Sequence, residues 1–264
     1  MLIDPKANRV RGVAKLNKKD ARSETGLFLL EGLQGLKEAL DRPKLIHEIY
    51  ATESSVESNP EVFARAKAAR VELQLVSDAV LKVMADTQTP QGVLAVCHQL
   101  DVSAQELIAA QPKSLALLAN IRDPGNAGTV LRAADSAGAD GVLFSENSVD
   151  VYNSKVVRST TGSIFHLPIA VGAPVLETIA QAKAAGLQVF AADGAGVPLP
   201  DLTQEALAKP TLWVFGNEAW GFEPEVLKAV DQVVAVPIYG AAESLNLATA
   251  ASICLYATAF AQNR

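Results

Sequence analysis

Apolar and polar positions alternate in blocks, so that short apolar runs are separated by stretches with helical periodicity. In the first third of the chain, FLLEG, KLIHEIYAT, ELQLVS and GVLAVCHQL predict four strands, and LQGLKEAL, EVFARAKAAR and DAVLKVMAD predict the helices between them. A polar stretch that ends at Pro112 follows. This pattern predicts a small α/β domain over residues 23–105.

The alternation restarts after Pro112. Strands are predicted at SLALLANI, DGVLFSE, IFHLPIAV, LQVFAAD, TLWVFGNE and QVVAVPI, and helices at NAGTVLRAADSAG, VYNSKVVRST, PVLETIAQAKAAG, EPEVLKAV and ESLNLATAASICLYATAFAQ. Repeated strand–helix–strand units make a parallel sheet with helices on both faces. The fold class is therefore α/β, with a second domain over residues 112–264 and ligands expected at the carboxyl ends of its strands.

The last predicted helix is apolar on most of its faces, which requires burial on all sides. A terminal helix is covered on every side most easily by a second subunit. The sequence therefore predicts a homodimer.

Charge is distributed unevenly along the chain. The net charge is −6, which by itself argues against a nucleic-acid partner. Residues 1–22, however, hold seven basic and two acidic side chains, a net charge of +5, so the rest of the chain carries −11. This basic N-terminal arm is either a solvated tail or a segment that binds phosphate.

The histidines, the cysteines and the lengths of the apolar runs argue against a metal-binding, an exported and a membrane-spanning protein. His47, His98 and His166 lie far apart, and Cys97 and Cys254 lie in apolar runs as expected of small buried side chains, so no metal site is predicted. The N-terminus has no apolar export signal, and the longest apolar stretch is shorter than the roughly 20 residues of a membrane span. A cytoplasmic protein is expected.

Candidate chemistry lies in three clusters of the second domain. In the first, Asp123 to Asn126 form a turn after a strand that ends near Ile121, and Asn126 is expected to cap the next helix. Arg122 and Arg132 on either side predict an anion site beside the helix N-terminus. An ordinary turn would not account for both arginines.

In the second cluster, a predicted strand leads into Gly216, Asn217 and Glu218, with Gly221 following. Glycines allow the backbone to approach a ligand closely. Glu218 is an unusual charge directly after a buried strand, although an exposed loop glutamate would account for it too.

In the third cluster, a strand ends at Pro237 and a loop leads to Ser244 and Asn246 at the start of the last helix. Ser244 is the expected N-cap, and Asn246 in the first turn is the less ordinary residue.

The order of the three clusters carries more information than any one of them. NxRDPxNxGxxxR, FGxExxG and PxxGxxxSLN resemble the three motifs of the SpoU-type (TrmH-like) branch of the SPOUT RNA methyltransferases, and the likeness spans residues 112–264. VRSTTGSIFHLPI is similar to the segment that joins the first two motifs in that family. The domain that begins near FLLEGLQGLKEAL is similar to the small RNA-binding domain that often precedes it.

The resemblance implies a C-terminal trefoil knot, a homodimer and an S-adenosyl-L-methionine cofactor held in the knot loops. By motif position, the cofactor-binding residues would be Ala192, Gly216, Asn217, Glu218, Val236, Ile238, Ser244, Leu245 and Leu247. The RNA-binding residues would be Arg9, Arg11, Lys15, Lys18, Lys19, Arg22, Arg122 and Arg158.

The resemblance also implies that Arg132 is the central catalytic residue, with Asn126, Glu218, Ser244 and Asn246 around it. Because arginine stays protonated in nearly all proteins, Arg132 is expected to stabilise the developing alkoxide or to hold a phosphate. The proton of the attacking hydroxyl has three possible acceptors: a phosphate oxygen, water or a transiently neutral Arg132.

The expected activity is S-adenosylmethionine-dependent methylation of a ribose 2′-hydroxyl in structured RNA. Large-subunit rRNA is favoured over tRNA because the extra domain offers a second site for a folded target. A tRNA methyltransferase and a non-catalytic RNA-binding protein are the alternatives. A Rossmann-type nucleotide enzyme is disfavoured, since DGAGVP is not a full GxGxxG motif at the start of a helix.

Overall fold

The computed structural model describes residues 1–264. The strands are β1 (Leu27–Glu31), β2 (Ile46–Ala51), β3 (Leu73–Leu75), β4 (Val93–His98), β5 (Ser114–Leu118), β6 (Gly141–Ser145), β7 (Ile169–Ala173), β8 (Gln188–Pro198), β9 (Thr211–Phe215) and β10 (Gln232–Ala235). The α-helices are α1 (Asn8–Lys15), α2 (Lys19–Thr25), α3 (Leu33–Ala39), α4 (Glu53–Ser58), α5 (Pro60–Ala68), α6 (Asp78–Met84), α7 (Ala104–Ala109), α8 (Pro124–Ser136), α9 (Ser154–Thr160), α10 (Val175–Ala184), α11 (Gln204–Ala208), α12 (Pro224–Ala229) and α13 (Leu247–Gln262).

These elements form two compact units, which differ from the predicted domains. The first contains residues 1–100 and 152–165, and the second contains residues 101–151 and 166–264. Helix α9 therefore belongs to the first unit, although it lies inside the range predicted for the catalytic domain. The hydroxyl of Ser154, the first residue of α9, bonds the side chain of Asn17 at 3.3 Å.

The first unit is built on a mixed sheet with the strand order β1-β4-β2-β3, in which β4 is antiparallel to both of its neighbours. Val10, Val13 and Leu16 follow one another at helical spacing and lie in the same apolar cluster as residues of β1, β4 and α6. The prediction of a separate basic arm over residues 1–22 is therefore wrong, because this segment forms α1, α2 and part of a hydrophobic core.

The second unit contains a six-stranded sheet with the order β10-β8-β9-β5-β6-β7. Every pair of neighbouring strands in it is parallel. Strands β5, β6 and β9 are buried along their whole length, which accounts for their almost continuous apolar sequence. The predicted α/β fold with a parallel sheet is confirmed, whereas the knot stays a prediction of the resemblance.

Strands β8 and β10 approach each other unusually closely at Gly196. A Cβ atom at this position would lie 2.5 Å from the backbone of Val233 and Val234, nearer than real contacts allow. The register of β10 on β8 shifts between the same two residues. Only glycine fits between these two strands without moving the backbone.

Two helices begin differently from the prediction. The side chain of Asp123, not that of Asn126, caps α8 by accepting a hydrogen bond from the backbone N–H of Asn126 at 2.7 Å. The side chain of Asn246, not that of Ser244, caps α13 by accepting from the N–H groups of Ala248 and Thr249. In each case the capping oxygen lies directly before the first helical residue, the position where the free N–H groups are within reach.

Helix α13 is buried on one face only. The buried indole N–H of Trp213 in β9 donates to the hydroxyl of Thr258 at 2.9 Å and ties the helix to the sheet. On another face, Ile253 and Phe260 are 38% and 62% exposed. A single chain therefore leaves part of this helix uncovered, and its burial by a second subunit stays a prediction. Cys97 and Cys254 are buried as predicted.

We expect Leu16→Ala to lower the stability of the first unit by about 2–5 kcal/mol, because it leaves a cavity in the core. The neighbouring Lys15 is exposed, so Lys15→Ala should change stability by less than about 0.5 kcal/mol. Urea unfolding, monitored by hydrogen exchange of the backbone amides of β1 and β4, measures both effects. Equal stability of the two variants would mean that the N-terminal segment is a free arm after all.

Candidate active site

Part of β8, the loops after β9 and β10 and the starts of two helices meet at the carboxyl end of the second unit's sheet. They enclose a cavity of about 460 Å³, within the usual size range of ligand sites. All nine predicted cofactor-binding residues line this cavity, and it is also lined by Asn126, Asp193, Gly194, Gly221, Phe222, Val234, Glu243, Asn246 and Ala250. Asp193, Glu218 and Glu243 are acidic, and no lysine, arginine or histidine lines the cavity.

A chain of hydrogen bonds joins the three sequence motifs. The side-chain amide of Asn126 donates to Glu218 Oε1 at 3.0 Å. The carbonyl oxygen of the same amide accepts from Asn246 Nδ2 at 2.9 Å. Because Asp123 performs the capping of α8, the side chain of Asn126 is free to make this link.

The loop after β9 is a tight turn closed at both ends. The backbones of Asn217 and Gly221 exchange two hydrogen bonds, at 3.0 and 2.9 Å. The side chain of Asn217 is buried and donates to the carbonyl oxygen of Asn120 at 2.7 Å. A Cβ atom at Gly216 would meet the Gly221 carbonyl oxygen at 2.9 Å, so only glycine allows the turn to close here. Asn217 is thus the buried polar residue, and Glu218 is exposed.

A second cavity of about 530 Å³ lies beside the first. It is lined by Arg122, Asp123, Asn126, Asn217, Glu218, Ala219, Trp220 and Asn246. Four of these residues line both cavities, namely Asn126, Asn217, Glu218 and Asn246. Trp220 was not predicted as a site residue. The sequence did contain a signal, because Trp220 is one of only two tryptophans and lies in a loop bounded by glycines.

Arg132 lies apart from the other predicted catalytic residues. Its side chain is exposed and lines neither cavity. At a rise of about 1.5 Å per residue, it lies about 12 Å along the helix axis from Pro124. The predicted anion site with Arg122 and Arg132 together at the helix N-terminus is therefore not formed within one chain.

Three of the predicted RNA contacts are held by partners inside the first unit. Arg22 is 2% exposed, and its side chain donates to the Leu16 carbonyl oxygen at 2.8 Å. Arg9 is paired with Glu48 and with Glu72, and the second pairing lowers the pKa of Glu72. These two residues therefore serve the fold.

Arg158 is the third of these residues. Its guanidinium bonds Glu31 and Asp86, each at 3.0 Å. Its charge is balanced by two carboxylates within the unit, and its role as an RNA contact stays a prediction. The side chains of Arg11, Lys15, Lys18 and Lys19 are exposed, and Arg122 lies in the second cavity.

The chain contains no group of three or more histidine, cysteine, aspartate and glutamate side chains that could hold a metal ion. None of its helices is both long and apolar enough to cross a membrane.

Comparison with known proteins places this geometry in a family. Residues 113–256 match the SpoU rRNA Methylase family, and residues 7–95 match the MRM3-like substrate binding domain. A 23S rRNA (guanosine(2553)-2′-O)-methyltransferase of Bacillus subtilis (strain 168) is 34% identical over 253 residues, which cover 95% of this chain and 96% of that protein. A 23S rRNA (uridine(2479)-2′-O)-methyltransferase of Streptomyces viridochromogenes is 28% identical, and the match covers 92% of this chain and 86% of that protein.

Solved structures agree with these matches. The crystal structure of an AdoMet-bound rRNA methyltransferase from Sinorhizobium meliloti has a TM-score of 0.85 and 30% identity, and the match covers 97% of this chain and 96% of that one. The order of the three motifs, the parallel sheet and the family match agree: the chain belongs to the SpoU rRNA methylase family.

Proposed function

We propose that this protein is an S-adenosylmethionine-dependent methyltransferase that methylates a ribose 2′-hydroxyl of large-subunit rRNA. The observation that carries the proposal is the cavity at the carboxyl end of the sheet, lined by all nine cofactor positions implied by the motifs. The rRNA 2′-O-methyltransferases that match nearly the whole chain support the same reaction.

The residues around the first cavity fit the proposed cofactor. S-adenosylmethionine supplies a methyl group activated by a positively charged sulfonium when it is bound. The acidic side chains of Asp193, Glu218 and Glu243, without a basic residue among the lining, suit a cationic ligand. Gly216 lets the turn close tightly against Gly221, and both residues line this cavity.

The hydrogen-bonded chain of Glu218, Asn126 and Asn246 is proposed to orient the ribose hydroxyl. The amide of Asn126 is held in one orientation because its two ends have different partners. Fixed polar groups of this kind lower the cost of positioning a reactant. Ser244, which lines the same cavity and is exposed, is proposed to contribute a further contact.

We also propose that the protein acts as a homodimer whose interface includes α13. Phe260 and Ile253 expose apolar surface there, and the rings of Tyr256 and Phe260 lie 5.5 Å apart. The hydroxyl of Tyr256 donates to the carbonyl oxygen of Ser136, one helical turn beyond Arg132 in α8. We propose that in this dimer Arg132 of one subunit acts at the active site of the other, because Arg132 lines neither cavity of its own chain.

The first unit is proposed to bind RNA. Exposed Arg11, Lys15, Lys18 and Lys19 are its remaining basic candidates, and residues 7–95 match a substrate-binding domain. The cytoplasmic location stays a prediction.

We expect Arg132→Ala to reduce methyl transfer by about 10²–10³-fold, as for removal of a transition-state charge stabiliser. Cofactor affinity should not change, because Arg132 is not among the residues assigned to the cofactor and its proposed role is to stabilise charge in the transition state. Labelled-methyl transfer to unmodified rRNA transcripts and calorimetric cofactor binding measure the two quantities. Near-normal transfer by the variant would contradict the role of Arg132, and label in tRNA alone would move the substrate away from rRNA.

Complementation tests whether Arg132 acts across the dimer. A mixed dimer of Arg132→Ala and Asn246→Ala subunits places both defects in one active site and leaves the other intact. We therefore expect about half the wild-type transfer per mixed dimer, while each variant alone is inactive. Each pure variant, carried through the same dissociation and mixing, is the control. If Arg132 acts within its own chain, mixing restores nothing.

A further inference from the structure

Trp220 is the one large aromatic side chain on the wall of the second cavity, and it is 58% exposed. Single exposed apolar residues are ordinary on protein surfaces, so exposure alone carries no argument. The position is what matters, because the indole lies in the turn that also carries Glu218.

The backbone that carries Trp220 is fixed. Asn217 and Gly221 close the turn with two backbone hydrogen bonds, and the side chain of Asn217 accepts from the Ala219 N–H at 2.8 Å. The bond from Asn217 to Asn120 then attaches the turn to the loop after β5. An exposed ring on a fixed turn loses little conformational freedom when a flat ligand stacks on it.

The two cavities share a wall made of the hydrogen-bonded side chains of Glu218, Asn126 and Asn246. A group bound in the second cavity therefore faces the first cavity across the residues proposed to orient the ribose. A methyl acceptor bound in the second cavity would therefore lie beside a methyl donor bound in the first.

The charges of the second cavity fit a nucleotide. Arg122 is exposed and has no carboxylate partner within the chain. Of the two acidic residues, Asp123 is engaged at the N-terminus of α8, where the helix dipole favours its negative charge. Glu218 is bonded to Asn126. Arg122 is thus the group available to a phosphate.

We propose that the second cavity holds the target nucleotide, with its base stacked on Trp220 and an adjacent phosphate bound by Arg122. The proposal rests on the RNA methyltransferase function and specifies its substrate site. Every base offers a π-face to an aromatic platform, so Trp220 holds the nucleotide without selecting the base.

Tryptophan fluorescence tests the stacking without turnover. The only other tryptophan, Trp213, is buried, so acrylamide quenches mainly Trp220. We expect an unmodified large-subunit rRNA transcript, added with S-adenosylhomocysteine, to protect Trp220 from quenching. The Trp220→Phe variant keeps only the buried Trp213, so the transcript should not change its quenching. Unchanged quenching at RNA concentrations that saturate a filter-binding assay would overturn the proposal.

Kinetics test the energetic contribution of the stack. Trp220→Ala should raise the KM for the transcript by roughly 5- to 150-fold, the range expected for one lost base stack. Trp220→Phe retains an aromatic face and should stay within a few-fold of wild type. Cofactor affinity should be unchanged in both variants and serves as the control for folding. An unchanged KM in Trp220→Ala would overturn the proposal.

Salt dependence tests the phosphate contact. Arg122→Ala should reduce the slope of log Kd against log salt by about one, as expected for one lost phosphate contact. Lys228→Ala, which removes an exposed positive charge from α12, is the matched control and should leave the slope unchanged. Equal slopes for the wild type and Arg122→Ala would contradict the proposed contact between Arg122 and a phosphate.

These outcomes separate the site from the function. If the wild type methylates the transcript and Trp220→Ala does so with the same KM, the nucleotide site is wrong and the methyltransferase function stands. If the transcript protects Trp220 but the wild type transfers no methyl group, the methyltransferase function is wrong and the second cavity stands as an RNA-binding site only.

Discussion

The side-chain amide of Asn126 links parts of the chain that are far apart in sequence. It donates to Glu218, 92 residues later, and accepts from Asn246, 120 residues later. A single amide can serve both partners because its nitrogen and its oxygen point in different directions. The arrangement depends on Asp123, whose carboxylate caps α8 and leaves the Asn126 side chain free. The turn, the start of the last helix and the start of α8 are therefore held in one geometry.

The parallel sheet makes this link possible. All six strands of the second unit run in the same direction, so the loops that follow β5, β8, β9 and β10 emerge at one edge. The bond between Trp213 and Thr258 holds α13 against β9 in the core, and the Asn246 cap marks where that helix begins. Two adjoining cavities with a shared wall result, one acidic and one containing an arginine and an indole.

Periodicity predicted the six strands of the second unit and most of its helices, because buried parallel strands have long apolar runs. All nine residues that the motifs assign to the cofactor line the first cavity, and their binding role stays a prediction. Tertiary partners could not be predicted in the same way. Arg22 looks like an RNA contact in a basic segment, but the fold buries it against the carbonyl oxygen of Leu16. Which polar side chain caps a helix also depends on a shift of two or three residues, as Asp123 and Asn246 illustrate.

Gly196 shows that intolerance to substitution need not mark a chemical role. The residue lies outside both cavities, yet any side chain there would push β10 away from β8. Val234 and Val236, in and directly after β10, line the first cavity and would move with it. A saturation-mutagenesis survey would therefore place position 196 among the most sensitive positions. Its sensitivity would reflect the short distance between the backbones of β8 and β10. A ranking by sensitivity alone would wrongly assign Gly196 a part in the reaction.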